Sequence, residues 1–491
     1  MATAGAAVGE LPPEKVGFIS SLRKTNIRTL AFSRMFSRLA MATLSYGAMV
    51  SLATGGSTQW QISMVASATY LSAVLFGIQG GTLSDELSKR SAIMGGFVVM
   101  AFMCFAFPQI FGTGVYELMT IMFLSSAIMQ VISPSLKAAV SLVSSVEELA
   151  TVAATVALAG SIASAVGSAV LAPLLIEWSN MTVLLAICGT LYLIGAVLAA
   201  KLPREQTAKS LRQAVGGVDW KPVALSRRNT ADWLWHNRPI AVVILVGSVV
   251  FALFEAFNTL IPVYVRDVLH ANPTNAVYIF APAGIGFLFA TLGTPVLVRK
   301  IGPRKLAVVA AGIMAVSMIG FALIGILAPI LAPISPLRIL GWLFNRDIND
   351  RVLAASTIAV PANFGSTAAG AAVQNYINAK VPLVRQGATF GVQEVQDNVF
   401  TLLIVLSLGA VSEFVGPKAV FFVAPMVAFL LVAGLIKYSY RAAGNQTITI
   451  RSAMDKLIQG YDDPPDADNR PQAEMDTESE SRDKVGSGTS T

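Results

Sequence analysis

The ten residues 81–90 hold two acids, Asp85 and Glu86, and two bases, Lys89 and Arg90, between apolar stretches at 60–80 and 91–111. Each stretch is long enough to cross a bilayer, which takes about 20 residues of helix. A charged turn this short brings both stretches to the same face of a membrane. Lysine and arginine are retained on the cytoplasmic side, so Lys89 and Arg90 predict that this face is cytoplasmic. A chain built on such returns is expected to be an all-α membrane protein.

Composition agrees. Apolar residues make up 54% of the chain and charged residues 13%, and the mean hydropathy is +0.65. A soluble domain needs about a quarter of its residues charged. Twelve apolar spans are predicted, at 30–52, 60–80, 91–111, 116–141, 150–174, 181–200, 239–264, 276–298, 305–329, 353–377, 389–412 and 417–438. Pro329, Pro333 and Pro336, with the charges between 338 and 351, turn the segment after the ninth span into an external loop, with a surface helix around Trp342 and Phe344 as an option.

Bases cluster before the first span (Arg23, Lys24, Arg28), in the 81–90 turn, through 201–238, after the eighth span (Arg299, Lys300, Arg304, Lys305) and after the last (Lys437, Arg441). The opposite loops 54–59, 112–114 and 178–180 carry none. Both termini are therefore expected in the cytoplasm, with an even number of spans in a multi-pass protein of the plasma (bacterial inner) membrane. No cleavable leader is expected, because 1–29 lack an apolar core and a small-residue cleavage pattern. Cys104 and Cys188 fall inside spans, so no structural disulfide is expected.

The net charge of +7 conceals a contrast, since residues 462–491 hold nine acids and three bases. The positive excess elsewhere reads as orientation charge beside anionic lipid, not as a nucleic-acid footprint. The acidic tail reads as solvated and disordered. The expected organisation is a cytoplasmic segment 1–29, a six-helix half 30–200, a cytoplasmic central loop 201–238, a second six-helix half 239–438 and the tail 439–491.

The halves echo each other. A slide of 214 residues sets Leu83 on Leu297, Ser88 on Gly302 and Arg90 on Arg304. A slide of 238 sets Val143, Val146, Ala150 and Thr151 on Val381, Val384, Ala388 and Thr389. The two offsets differ by about the size of the irregular insertion near 330–352. Two pseudo-symmetric sets of six spans are what a rocking transporter requires, with its site between them.

The pattern G-x-L-S-D-x-x-x-K-R, on Gly81, Leu83, Asp85, Lys89 and Arg90, resembles the loop between helices 2 and 3 of the major facilitator superfamily. Leu297, Arg299, Gly302, Arg304 and Lys305 resemble its weaker second copy. The segments 260–269 (L-I-P-V-Y-V-R-D-V-L) and 381–391, with Arg385, Gly387, Phe390 and Gly391, resemble bacterial exporters of drugs, macrolides and siderophores. Glu86 and Ser88 depart from the usual arginine and glycine. Helix 4 lacks the arginine usual in proton-coupled drug exporters, and helix 5 has Gly167-Ser168 and Ala172-Pro173 in place of a late Gly-Pro.

The resemblance implies a conformational gate at Gly81, Asp85, Lys89, Arg90, Arg299, Gly302, Arg304 and Arg385. In such proteins the matching aspartate faces the start of helix 11, and a carboxylate there meets the positive end of the helix dipole. The plain alternative is a solvated turn that only sets topology.

Substrate or proton candidates are Arg38, Gln130, Glu255, Asn258, Asn363, Glu394 and Asp397. Five of these, Arg38, Gln130, Glu255, Asn258 and Asn363, are supported only by position, because helices 1, 4, 7 and 10 line the cavity in the superfamily. Glu255 lies about 24 Å into its span, with Asn258 a turn further on. An acid there is costly unless it lines a polar cavity, binds a proton or meets a cation; a hydrogen-bonded structural carboxyl is the alternative. Glu394 and Asp397 line an inner cavity or pair with bases such as Arg299 or Lys380. Arg34 is expected to snorkel, and Arg38, a turn deeper, to bind an anionic group or neutralise an acid.

No phosphate-cradling loop, catalytic arrangement or metal-ligand cluster is present in the sequence. The reading is a secondary transporter, not an enzyme and without a cofactor, moving a small organic solute by alternating access. Export with proton coupling is preferred over a facilitative importer or a non-transporting receptor. Its expected partners are that solute, membrane lipid and protons, with no nucleic acid, and it is expected to act as a monomer.

Overall fold

The computed structural model describes residues 24–144, 148–203, 232–234, 236–338 and 348–441. In hydrocarbon every backbone N–H and C=O needs a partner within the chain, and a helix provides it locally. The described residues accordingly form twelve long helices and no strand. The first half holds α1 (Thr25–Thr54), α2 (Gln59–Glu86), α3 (Lys89–Ile110), α4 (Val115–Val143), α5 and α6 (Met181–Ala199). α5 begins as Leu149–Val166, widens into a π-turn at Gly167–Leu171 and resumes as Ala172–Trp178. The second half holds α7 (Arg238–Asp267), α8 (Ala276–Ile301), α9, α10 (Asp350–Lys380), α11 (Leu383–Val415) and α12 (Pro417–Arg441). α9 is Pro303–Ala322, continued past a break at Leu323 by Ile324–Leu331.

Ten of these helices are long and apolar enough to cross a membrane. α1 and α2 are as long but more polar: α1 carries Arg28, Arg34 and Arg38, and α2 opens on Gln59-Trp60-Gln61. Two helices depart from simple rods, and proline accounts for both. Pro173 has no N–H for the carbonyl of Ala169, and the helix widens there. Pro329 likewise leaves Gly325 without its usual donor just past the break in the expected ninth span. The proposed surface helix at Trp342 and Phe344 lies outside the described residues, as do 1–23, most of the central loop and the tail from 442.

The same helix pairs recur in each half. α1 packs on α5 and α6, α2 on α4, and α3 on α4 and α6. In the second half α7 packs on α11, α8 on α10, and α9 on α10. Aromatic contacts complete the set: Phe421 of α12 stacks on Phe321 of α9 with centroids 5.5 Å apart, and meets Tyr264 of α7 at 4.9 Å. Tyr264 Oη also donates to the carbonyl of Phe321 at 2.7 Å. Between the halves, α2 meets α11, α5 meets α8, and α7 meets α1 and α2. The pairs α2–α11 and α5–α8 exchange under the same two-fold relation and α1–α7 maps onto itself, so the pseudo-symmetric six-plus-six arrangement is present in the packing.

The seam between the halves is tight at one end only. Where α1 ends and α2 begins, buried residues of both halves merge into one apolar core, Leu52 and Ile62 with Leu253 and Ile261 among them. There Gly409 of α11 sits so close to Ser63 of α2 that a Cβ on residue 409 would overlap the serine side chain. Gln59 Nε2 donates across to the carbonyl of Thr259 at 3.3 Å. Arg266, at the end of α7, donates through Nη1 to the carbonyls of Ala53 and Ser57, both at 3.0 Å. At the end that carries the 81–90 turn, here called the basic end, Ile240, Val243, Leu306, Val373 and Tyr376 pack as a separate core of the second half. No residue of α11 from 390 to 400 is buried, whereas Thr401, Val405, Leu408 and Ser412 are. The space between the halves therefore opens toward the basic end.

This alternation of helix ends can be checked by labelling. In a chain lacking Cys104 and Cys188, single cysteines at Ser57, Thr113 and Ala271 should react with a membrane-impermeant maleimide from one side. A cysteine at Ser88 should react only from the other. Mixed accessibility within the first group would contradict the order of the helices.

Candidate functional site

Three side chains from three helices meet halfway along the seam. Tyr70 lies 16 residues from the basic end of α2, and Glu255 lies 17 residues into α7. At about 1.5 Å per residue, both sit roughly 25 Å from the basic ends of their helices. Tyr70 Oη donates to Glu255 Oε2 at 2.8 Å, joining the two halves. Such a bond to a charged acceptor contributes about 1.5–3 kcal/mol. Arg38 of α1 lies close enough to feel the charge of Glu255 and the Tyr192 hydroxyl, without forming an ion pair with the carboxylate. Among the described residues Arg38 has no hydrogen-bond partner, and its side chain is exposed to the space between the helices.

Helix packing sets the position of Arg38. Arg34 and Arg38, four residues apart, share one face of α1, and both lie against α5 at Gly160. A Cβ on residue 160 would stand 3.1 Å from Arg34 Nε and 3.4 Å from Arg38 Cγ. Glycine there lets the two arginine stems lie flat on α5. Arg34 Nε is buried and without a hydrogen-bond partner. One turn further along, Thr43 Oγ1 donates to the carbonyl of Gly167 at 3.4 Å, fastening α1 to the π-turn of α5.

The remaining candidates lie around this cluster. Asn258 is half-buried, a turn beyond Glu255. Gln130 packs against α2, where its backbone and Cβ leave no room for a side chain at Gly80. Asn363 of α10 accepts from Thr367 Oγ1 at 3.4 Å through its own side chain. α11 starts six residues before the predicted span, which puts Glu394 and Asp397 roughly 16 and 21 Å along the helix. Glu394 is exposed, and Asp397 is half-buried beside Ser248 of α7. Arg299 turns to its own helix instead, donating through Nε to the carbonyl of Pro295 at 3.2 Å.

The gate residues tie helices within each half. Lys89 Nζ donates to the carbonyl of Ser84 at 2.8 Å, at the end of α2. Arg90 Nη1 donates to the carbonyl of Leu202 at 3.2 Å, joining the start of α3 to the end of α6. Arg304 Nη2 donates to Tyr376 Oη at 2.7 Å and its guanidinium lies 5.3 Å from that ring, joining α9 to α10. Arg385, exposed at the start of α11, lies 5.5 Å from the ring of Trp233. Gly302 has φ +81°, which suits glycine, and Pro303 follows it as the first residue of α9. Gly81 is in α2 with open space around it. Asp85 is on the last turn of α2, but its side chain lies outside the described residues.

Tyr70, Gly160, Gln59 and Arg266 were not among the candidates. Tyr70 could have been noticed as the one tyrosine within 60–80, and Arg266 lies in the quoted 260–269 segment. Among the described residues, no group of three or more His, Cys, Asp or Glu is placed to hold a metal ion.

Two helical halves with a polar cluster at mid-depth between them define an integral, multi-pass membrane transporter, not an enzyme. The family model described as Major Facilitator Superfamily matches residues 29–346. The chain belongs to that superfamily. No curated protein sequence matches the chain. Among solved structures, it is similar to the nucleoside transporter NupG, with a TM-score of 0.61 and 14% identity over 86% of this chain and 99% of that one. A POT family transporter in complex with 5-aminolevulinic acid gives a TM-score of 0.61 at 12% identity, covering 84% of this chain and 96% of that one. A bacterial metal transporter gives a TM-score of 0.52 at 17% identity, over 84% and 98%. At these identities the likeness carries the fold alone.

The ties within each half predict a stability effect. Arg90→Gln should lower the thermal midpoint of the detergent-purified protein, with a loss of about 1 kcal/mol, below the range for a buried charge-assisted hydrogen bond because Arg90 is only half-buried. An unchanged midpoint would mean that the Leu202 carbonyl gains nothing from Arg90.

Proposed function

We propose that this protein is a secondary transporter that moves a small organic solute by alternating access and couples the movement to protons at Glu255. The observation that carries the reading is the hydrogen bond from Tyr70 to Glu255, which joins the two halves at mid-depth beside Arg38. A carboxyl at the bilayer centre costs about 2.5–3.5 kcal/mol when charged and unpartnered, so binding or losing a proton there changes the balance between open and closed seams. Protonation weakens Glu255 as an acceptor for Tyr70 and removes the field it exerts on Arg38. The seam can then part at a place where it is otherwise joined.

Export is the proposed direction, across the plasma membrane of a bacterial cell with both termini in the cytoplasm. It rests on the likeness of 260–269 and 381–391 to exporters and on the basic loops. In this reading 30–200 and 239–438 move as units joined by 201–238. Asp85 of α2 stabilises the state in which the basic end is closed, the role that the resemblance implies for it. The protein works as a monomer.

A second reading has one specific observation behind it. Residues 120–130 of α4 contain no base, and α5 carries a π-turn where proton-coupled exporters of this kind have Gly-Pro. That favours an uncoupled carrier.

Reconstitution in vesicles separates the two. For exchange of one proton per solute, an imposed gradient of about 1 pH unit supports about tenfold accumulation, since that unit corresponds to about 1.4 kcal/mol. Glu255→Gln should abolish the accumulation while leaving downhill exchange measurable. Accumulation that survives in Glu255→Gln would remove Glu255 from the coupling, and flux indifferent to the gradient in the native chain would favour the uncoupled carrier.

A further inference from the structure

We propose that the solute carries an anionic group, a carboxylate or one of similar chemistry, and that Arg38 and Arg34 receive it. The inference rests on the transport reading and adds the class of solute to it. Two guanidiniums lie one turn apart on the same face of α1, and among the described residues neither has an acid within ion-pair distance or a hydrogen-bond acceptor. For Arg34 the orphan donor is Nε, buried against α5. Arg38 is exposed on α1 and lies near enough to Glu255 of the other half to feel its charge.

Two like charges four residues apart on a helix repel each other, and the repulsion grows in a medium of low dielectric constant. Arginines buried in a structural role are normally answered by a carboxylate or a set of carbonyls, as Arg266 is by Asp267, Ala53 and Ser57. The Arg34–Arg38 pair is not answered in that way. Glu255 exerts a field on Arg38, and its Oε2 is engaged by Tyr70. Asp397 and Glu394 belong to α11; Asp397 lies beside Ser248.

A guanidinium presents a planar fork of donors that fits a carboxylate or phosphate with two parallel hydrogen bonds. The pair forms a ladder: Arg34 lies one turn nearer the basic end, where the space opens, and Arg38 lies at the depth of the seam. An anion entering from that end meets Arg34 first and reaches Arg38 next to Glu255. The few charges in the surrounding helices suit an apolar remainder, so the expected solute is an amphiphilic anion.

The test uses the full chain, purified and also reconstituted, with probes matched in size: benzoate against benzamide, octanoate against octanamide, and benzyltrimethylammonium as the cation. Benzoate or octanoate should raise the thermal midpoint and exchange faster than in protein-free vesicles, while their amides do neither. Arg38→Gln should weaken that binding by about tenfold or more, with Arg38→Lys keeping part of it, as expected for a charge-assisted hydrogen bond. Both variants are compared with the native chain by gel filtration, and an intact Arg38→Lys keeps the test decisive if Arg38→Gln does not fold. Amides that bind and exchange as well as the acids, or acids whose binding is unchanged by Arg38→Gln, overturn the anion site and leave transport standing. A preference for the cation, or no binding of either acid up to its solubility, also overturns it. Arg38-dependent binding of the acids without exchange upholds the anion site and removes the transport reading.

Discussion

A charged side chain halfway along a membrane helix is tolerated only where water, an opposite charge or a hydrogen-bond donor reaches it. The arrangement of the two halves follows from that requirement at Arg34, Arg38 and Glu255. Backbone groups can satisfy themselves inside helices, and here they do so over nearly every described residue. Guanidiniums and a carboxylate cannot. Glu255 is met by a tyrosine from the other half, and Arg38 by the open space between the halves. Closing that space without a solute would strip water from two adjacent cations, which makes the empty closed state costly and an occupied one less so. Obligatory loading before a conformational change can arise from this balance alone.

The seam has the properties that a reversible closure needs. At the closed end it is held by apolar packing, by the close approach of Gly409 to Ser63, and by a few polar ties, chiefly Gln59 to Thr259 and Arg266 to the end of α1. Net contributions of such hydrogen bonds are about 0.5–3 kcal/mol each. A handful of them is comparable with the differential affinity a ligand or proton can supply, so the equilibrium between open and closed ends stays within reach of binding. A seam as extensive as the packing inside each half would be beyond that reach.

Much of this was legible in the sequence, and the limits have physical causes. Spans are visible because burial in lipid demands about 20 apolar residues in a row, and the duplicated architecture is visible because Leu83 and Arg90 have counterparts at Leu297 and Arg304. Glu255 and Arg38 stood out because charge is rare in apolar helices. Tyr70 did not, because a tyrosine costs little in a span, and only the three-dimensional register brings its hydroxyl to Glu255. Gly160 was equally silent: its importance lies in what rests on it, two arginine stems from another helix. The start of α11 was missed by six residues, because Arg385, Gln386 and Gly387 end the hydropathy signal but not the hydrogen-bond ladder.

The charged residues of the 81–90 turn and its counterpart gain a more definite meaning from their contacts. Lys89 closes the end of α2, Arg90 fastens α3 to α6, and Arg304 fastens α9 to α10. All of these bonds lie within one half, none of them across the seam. They stiffen the basic end of each half at the place where the halves are apart and unsupported by one another. Stiff halves concentrate any motion at the seam, so under the proposed function a proton or solute acting on Tyr70, Glu255 and Arg38 would shift whole six-helix units instead of bending single helices. The motif that first suggested a topology turn thus serves the central cluster from a distance, by keeping the parts it moves rigid.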